Sequence, residues 1–218
     1  MTSRILEIGR RHLAEEGAAA LSLRAVTRDL GMVSSAVYRY VANRDDLLTL
    51  LVVDAYPELG DEVDAAVLAA SRGGWDARIL AAATAVRRWA LREPGRYALL
   101  YGSPVPGYEA PERTTEPGTR VIRLLVALVE EGVRRGDVVD GPARVPVARA
   151  LRVDLGRVRA DLGLAMDPAV LGRAVVLWSS LFGAVSLEVF GQYGAGTFGQ
   201  PERLFEHQMR VVLSMLRG

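Results

Sequence analysis

Apolar residues recur three and four positions apart along nearly the whole chain, and no apolar/polar alternation runs beyond four residues. That spacing lays one apolar stripe along a 3.6-residue helix and gives a strand no clean face. It predicts an all-α fold. Ile5, Ile8, Gly9, His12 and Leu13 form the inner face of a first helix, and Gly17 is placed to end it. Ser22 is a good cap for a short second helix running to Leu30, with Gly31 as its stop. A third, shorter still, spans about Ser34 to Val41. A fourth begins near Asn43 and carries Leu47, Leu48, Leu51 and Val52 toward Pro57.

The later helices are longer. Trp75, Ile79, Ala83, Val86 and Trp89 mark one that ends before Pro94, and a short helix follows around Arg96 to Tyr101. Residues 102–118 hold Pro104, Pro106, Pro111 and Pro117 and read as a long loop, either a plain surface loop or a cover for a pocket entrance. Val121 to Val133 resumes the helical period, residues 136–146 break it, and a modest helix runs from Val147 to Leu162. Leu171 to Val189 and Leu204 to Met215 are the most apolar helices of all. The organisation is a small N-terminal unit of three short helices followed by a larger helical bundle.

Composition removes whole classes of chemistry. With no cysteine there are no disulfides or thiolate sites, and His12 and His207 supply little for a metal or a catalytic triad. All 27 basic residues are arginine, and 26 acids leave a net charge of +1, so any anionic partner must meet a local patch. The apolar run Ala174 to Leu187 has 14 residues between Arg173 and Glu188, short of the roughly 20 that span a bilayer. Residues 1–11 carry scattered charges without an apolar run, so a cytosolic protein is expected, with no membrane partner.

The most specific signal lies between Ser22 and Val41. A short helix, a turn at Gly31-Met32-Val33 and a second short helix is the helix-turn-helix layout. Val33, Val37 and Val41 share one face of the second helix, opposite Ser34, Ser35, Tyr38 and Arg39. Small hydroxyl residues at a helix start permit close approach to phosphates and base edges. Tyr38 and Tyr40 add hydroxyls, and Arg24 suits bidentate pairing with guanine. Residues 24–44 carry +3, four arginines against Asp29 alone. The same features also fit a helical hairpin with a solvated basic face.

These residues resemble the TetR (tetracycline repressor-like) transcriptional regulators. The resemblance rests on Leu21 to Val26, Leu30-Gly31, Ala36 to Tyr40 and Asn43 to Leu48, with Ile5-Leu6 and Ala14 to Gly17 matching the family's first helix. It implies a homodimeric, ligand-responsive regulator, usually a repressor, with residues 1–46 as DNA-reading head and 47–218 as ligand-binding and dimerisation domain. By position, Arg24, Ser34, Ser35, Tyr38 and Arg39 would approach bases of a double-stranded operator, and Tyr40 and Arg44 would hold phosphates. Val33-Ser34 stands where the family often has Ser-Pro, and Tyr40-Val41 where it often has His-Phe.

Trp178 to Glu188, with Gly102 to Tyr108 and Ala110-Pro111, resembles the WHG type of C-terminal regulatory domain. Phe182 replaces the histidine usual in that subgroup, which suggests an apolar pocket and a small, largely apolar effector. Trp89, Trp178 and Phe182 also suit plain core, since aromatics dominate cores. As a pocket they would be joined by Tyr97, Tyr101 and Glu188 as polar groups. The last two helices hold more apolar surface than one bundle needs, and Gly183 and Ala184 permit close approach, so they are expected to form a homodimer interface.

Other motifs carry no chemistry. Gly194 to Gly199 matches the dinucleotide fingerprint in letters but follows a long helix, not a strand, and reads as an interhelical loop. Asp45-Asp46 and Glu130-Glu131 point apart on their helices, and no nucleophile elbow is present. No enzyme activity, cofactor or metal site is expected. The competing reading is an all-α small-molecule binding protein or enzyme without DNA binding.

Overall fold

A computed structural model describes residues 1–32, 34–141 and 145–217, with backbone alone at Ser34 and Ser35. Among the described residues there are ten α-helices, one 3-10 turn and no strand. Packing divides the chain into two compact units, Met1–Glu62 with Arg88–Thr119, and Val63–Arg87 with Arg120–Gly218. Three helices contribute residues to both: α4 (Arg44–Ala69), α5 (Trp75–Arg92) and α7 (Thr115–Arg135).

The first unit opens with α1 (Thr2–Ala20), broken at Gly17, whose φ of 77° and ψ of 169° leave helical space. Next come α2 (Leu23–Asp29), capped by Ser22, and α3 (Ser34–Tyr38), which stops short of the expected end at Val41. Gly31, at φ 64°, is the expected stop between them. Ile5, Val26, Val37, Leu47, Leu48 and Leu51 are fully buried together, each worth about 1.5–3 kcal/mol of transfer free energy.

The helix α4 does not end at Pro57. It continues to Ala69, because Leu59, Val63 and Val67 go on burying the same apolar stripe, and that burial outweighs the rung lost at proline. Polar links reinforce the unit. Arg96 of α6 (Pro94–Tyr101) is 3% exposed, donates to Glu58 at 2.8 Å and Asp54 at 3.0 Å, and lies 5.4 Å over the Trp89 ring. Arg10 of α1 grips the same Asp54 at 2.6 to 2.9 Å.

Segment 102–118 is not one long loop. Val105 and Tyr108 pack against the buried cluster of the head, and the Tyr108 hydroxyl meets the Thr49 hydroxyl at 3.1 Å. A 3-10 turn covers Glu112–Thr114, and α7 begins at Thr115. Pro117 therefore sits in the first turn of α7, where a missing N–H costs no helical bond.

The second unit contains α8 (Arg149–Asp161), α9 (Pro168–Val189) and α10 (Pro201–Arg217) together with the rest of α5 and α7. The Trp75 indole is buried and donates to the Leu128 carbonyl at 2.8 Å. Gly132 makes room for that ring, since a Cβ there would lie 2.5 Å from the indole nitrogen. Asp167 caps α9 through the Ala169 N–H at 2.7 Å. At 22 residues, with an 18-residue stretch of mean hydropathy 1.7, α9 exceeds the 14-residue run and is long and apolar enough to cross a membrane. Eight of its residues, among them Leu177, Leu181 and Val185, are buried.

Candidate DNA interface

The corner where α1, α2 and α4 meet collects several of the expected site residues. Ser22 accepts the Ala25 N–H at 3.4 Å, and Leu23 and Val26 pin the inner face of α2. Its outer face presents Arg24 and Arg28 to solvent. Arg24, Tyr38 and Arg44 line one open concavity of about 330 Å³, together with Ser22 and Asn43. Arg24 has no ion-pair partner among the described residues.

Arg39, on the segment after α3, is exposed and likewise has no ion pair among the described residues. Tyr38 is 42% and Tyr40 56% exposed. Tyr40 lines a different concavity, of about 380 Å³, with Asp46, Thr49, Leu50, Val53 and Arg113. The side chains of Ser34 and Ser35, and all of Val33, lie outside the described residues.

Arg44 is heavily engaged. Its Nε donates to the Leu21 carbonyl, and its Nη2 to those of Ala18 and Ala19, all at 3.0 Å. Asn43 caps α4 by accepting the Asp46 N–H at 2.8 Å, and the Asp46 carboxylate in turn accepts the Ala42 N–H at 3.1 Å. The Asn-x-x-Asp spacing resembles a capping box, with the return bond made one residue earlier, at Ala42. Asp29, the one acid of the basic window, has Arg28 at 3.7 Å within it and two shorter partners outside it. A hydrogen bond from His12 (2.8 Å) and another from Arg11 (2.7 Å) hold its carboxyl below the usual aspartate range. His12 is buried and ties α1 to α2, a role its place on the inner face did not reveal.

The expected pocket residues fall in two sets. In the first unit, Trp89 and Tyr97 are fully buried, and the Trp89 indole donates to Glu58 at 3.1 Å. Tyr97 and Tyr101 have ring centroids 5.3 Å apart, with Tyr56 edge-on to Tyr101 at 6.1 Å. Burial raises the Tyr101 phenol far above its ordinary range, so it stays a neutral donor. In the second unit, Trp178 is 38% exposed and meets Phe182 edge-on at 6.4 Å. Glu188 accepts a fork from Arg87 at 2.5 and 2.7 Å, so its charge already has a partner in the chain. Among the described residues, no three His, Cys, Asp or Glu side chains cluster as a metal site.

Residues 79–212 match the family described as tetracyclin repressor-like, C-terminal domain. Over 217 residues the chain is 46% identical to the HTH-type transcriptional regulators Rv1816 of Mycobacterium tuberculosis and Mb1846 of Mycobacterium bovis. Each alignment covers 98% of this chain and 91% of the relative. The crystal structure of SCO4313, described as a regulatory protein, is similar at a TM-score of 0.77 and 33% identity, covering 98% of this chain and 95% of that one. The fatty acid degradation regulator FadR from Bacillus halodurans shares the fold, with a TM-score of 0.67 at 13% identity over 98% of both chains.

Proposed function

The chain belongs to the TetR family of DNA-binding transcriptional regulators, and from that premise we propose that it is a homodimeric repressor of a palindromic operator, released by a small, largely apolar effector. Residues 1–46 act as the reading head and residues 47–218 as the effector and dimerisation domain. Arg24, Ser34, Ser35, Tyr38 and Arg39 approach base edges, and Tyr40 and Arg44 lie on the phosphate side. The observation that carries this reading is the exposure of Arg24, Tyr38, Arg39 and Tyr40 on a head whose opposite faces are fully packed. Arginines free of ion pairs are available to neutralise phosphate and to pair with guanine.

Dimerisation through α9 and α10 is supported by Val176, Trp178 and Leu187 on one helix and Val211 and Met215 on the other, all exposed apolar side chains. Gly183 has no atom within 4 Å of a built Cβ, and a groove of about 520 Å³ runs beside it, lined by Leu187, Met209 and Val211. Such a face suits the self-complementary contact of a two-fold dimer. Two heads would then enter successive major grooves, with half-sites about 34–36 Å apart or somewhat more.

The candidate effector contacts are Trp89, Tyr97 and Tyr101 in the first unit, and Trp178, Phe182 and Glu188 in the second. The first three offer rings, with a neutral hydroxyl at Tyr101 and a Trp89 indole that donates to Glu58, and Arg87 leaves Glu188 little net charge to offer a ligand. Binding would favour a conformation whose heads no longer match the operator spacing. A regulator of this kind works in the cytosol. Enrichment of random duplexes on the full-length protein, with sequencing of the bound fraction, tests the reading. A shared palindrome is the expected result; featureless recovery, or a monomer at micromolar concentration in sedimentation, overturns it.

A further inference from the structure

Arg44 has a job that its place beside the DNA-facing residues does not by itself suggest. The last carbonyls of a helix have no partner within it, and here Gly17 also breaks α1 three residues before its end. Arg44, the first residue of α4, supplies three of the missing donors from 23 to 26 residues away, to Ala18, Ala19 and Leu21. Leu21 immediately precedes Ser22, the cap of α2, and that cap is long at 3.4 Å. The corner that starts α2 therefore takes three hydrogen bonds from this guanidinium, beside the His12–Asp29 link and the packing of Leu21 and Leu23. The Arg44 Nη1 is left over for a phosphate.

We propose that Arg44 is a positioning residue for sequence reading, which fixes the α1–α2 corner and so sets Arg24 against Tyr38. Arg24, Tyr38 and Arg44 line one concavity, so a shift of that corner moves the surface on which the other two sit. Two different nitrogen atoms serve the carbonyls, and the ammonium of a lysine has one. Arg44→Lys keeps the charge beside the DNA and loses the fork; Arg44→Ala loses both. This inference rests on the DNA-binding reading above.

The test uses full-length protein and two duplexes, the enriched palindrome and a scrambled sequence of equal length, in anisotropy titrations across a salt series. For both R44A and R44K the preference for the palindrome should fall about tenfold or more, the scale of one good base contact. For R44K the slope of log affinity against log salt should stay within about half a unit of wild type, while R44A, which also loses the charge beside the DNA, should flatten it by about one unit. In a double-mutant cycle, R44K and R24A should be non-additive, since one acts through the other. An unchanged preference with a slope flatter by about one unit overturns the proposal in favour of a plain phosphate contact. A lowered melting temperature with unchanged preference overturns it in favour of a purely structural role. If R44A is unfolded by circular dichroism at the assay temperature, R44K and the cycle carry the same decision. Recovery of no palindrome by the wild-type protein overturns this inference and the DNA-binding reading together.

Discussion

A single methyl group at Gly95 should separate α6 from α1. Gly95 lies in the first turn of α6, where an added Cβ would sit 2.9 Å from the Leu13 carbonyl oxygen, 3.0 Å from the Ala14 Cα and 3.1 Å from the Leu13 carbonyl carbon. All three are backbone atoms of α1, so no side chain can swing aside to make room. Overpacking costs about 1–3 kcal/mol, and rigid neighbours place Gly95→Ala near the upper end, at about 2–3 kcal/mol. Alanine returns about 0.5–1 kcal/mol of helix propensity. The net loss of about 1–2.5 kcal/mol should lower the melting temperature by about 2–10 °C for a chain of this size. Gly156 of α8 is the control, because nothing lies within 4 Å of a Cβ built there. Gly156→Ala should raise the melting temperature by about 1–4 °C. Thermal melts followed by circular dichroism measure both. A G95A melt equal to wild type's, or higher, would refute the close approach of α1 and α6.

Arg24→Ala should cost about 1–3 kcal/mol on the palindrome and much less on scrambled duplex, read by anisotropy; equal losses on both would remove Arg24 from base reading. Glu188→Gln strips the Arg87 fork of its charge where the two side chains are only 14% and 16% exposed. It should destabilise by about 2–3 kcal/mol in denaturant titration, and the apolar pair Arg87→Met with Glu188→Leu should recover most of that loss. Burial pushes the Glu58 carboxyl up, but hydrogen bonds from Arg96 and Trp89, helped by the charges of Arg96 and Arg10, hold it below the usual range. A depressed carboxylate contributes stability above its unfolded pKa, about 4.3, and loses it as pH falls through the folded value. Melts between about pH 6 and pH 3 should therefore drop less steeply for Glu58→Gln than for wild type; parallel curves would show that Glu58 contributes nothing to acid sensitivity.

What was legible in the sequence depended on local rules. The cap at Ser22, the stop at Gly31 and the apolar period of the late helices are set by neighbours within one or two turns, and the structure has them where the pattern put them. Pro57 and Pro117 misled for one reason. Proline forbids a hydrogen bond but not a helix, and the outcome turned on burial in α4 and on position within the first turn of α7. The resemblance named Arg24, Tyr38 and Arg44 one by one, and that they line a single concavity came only with the fold. The neighbours of Tyr40 were not legible either, because Arg113 reaches their concavity only once the segment after α6 has folded back on the head. His12 with Asp29, and Glu188 with Arg87, are likewise tertiary pairs with no local signature.

The absence of lysine acquires a physical meaning from these contacts. Arg10, Arg44, Arg87 and Arg96 each bind through two different nitrogen atoms. A lysine in any of these places has one nitrogen to offer and a more strongly hydrated charge to bury. Where the partner is a carboxylate, as for Arg10, Arg87 and Arg96, the paired charges offset each other, so a count of arginines overstates what the chain offers to phosphate. Within the basic window, Arg44 is turned toward backbone carbonyls and Arg28 lies 3.7 Å from Asp29, while Arg24 and Arg39 have no ion pair among the described residues. The +3 of the sequence therefore divides between two roles. Arg44 spends its hydrogen bonds on the α1–α2 corner, and Arg24 and Arg39 keep guanidiniums free of ion pairs among the described residues.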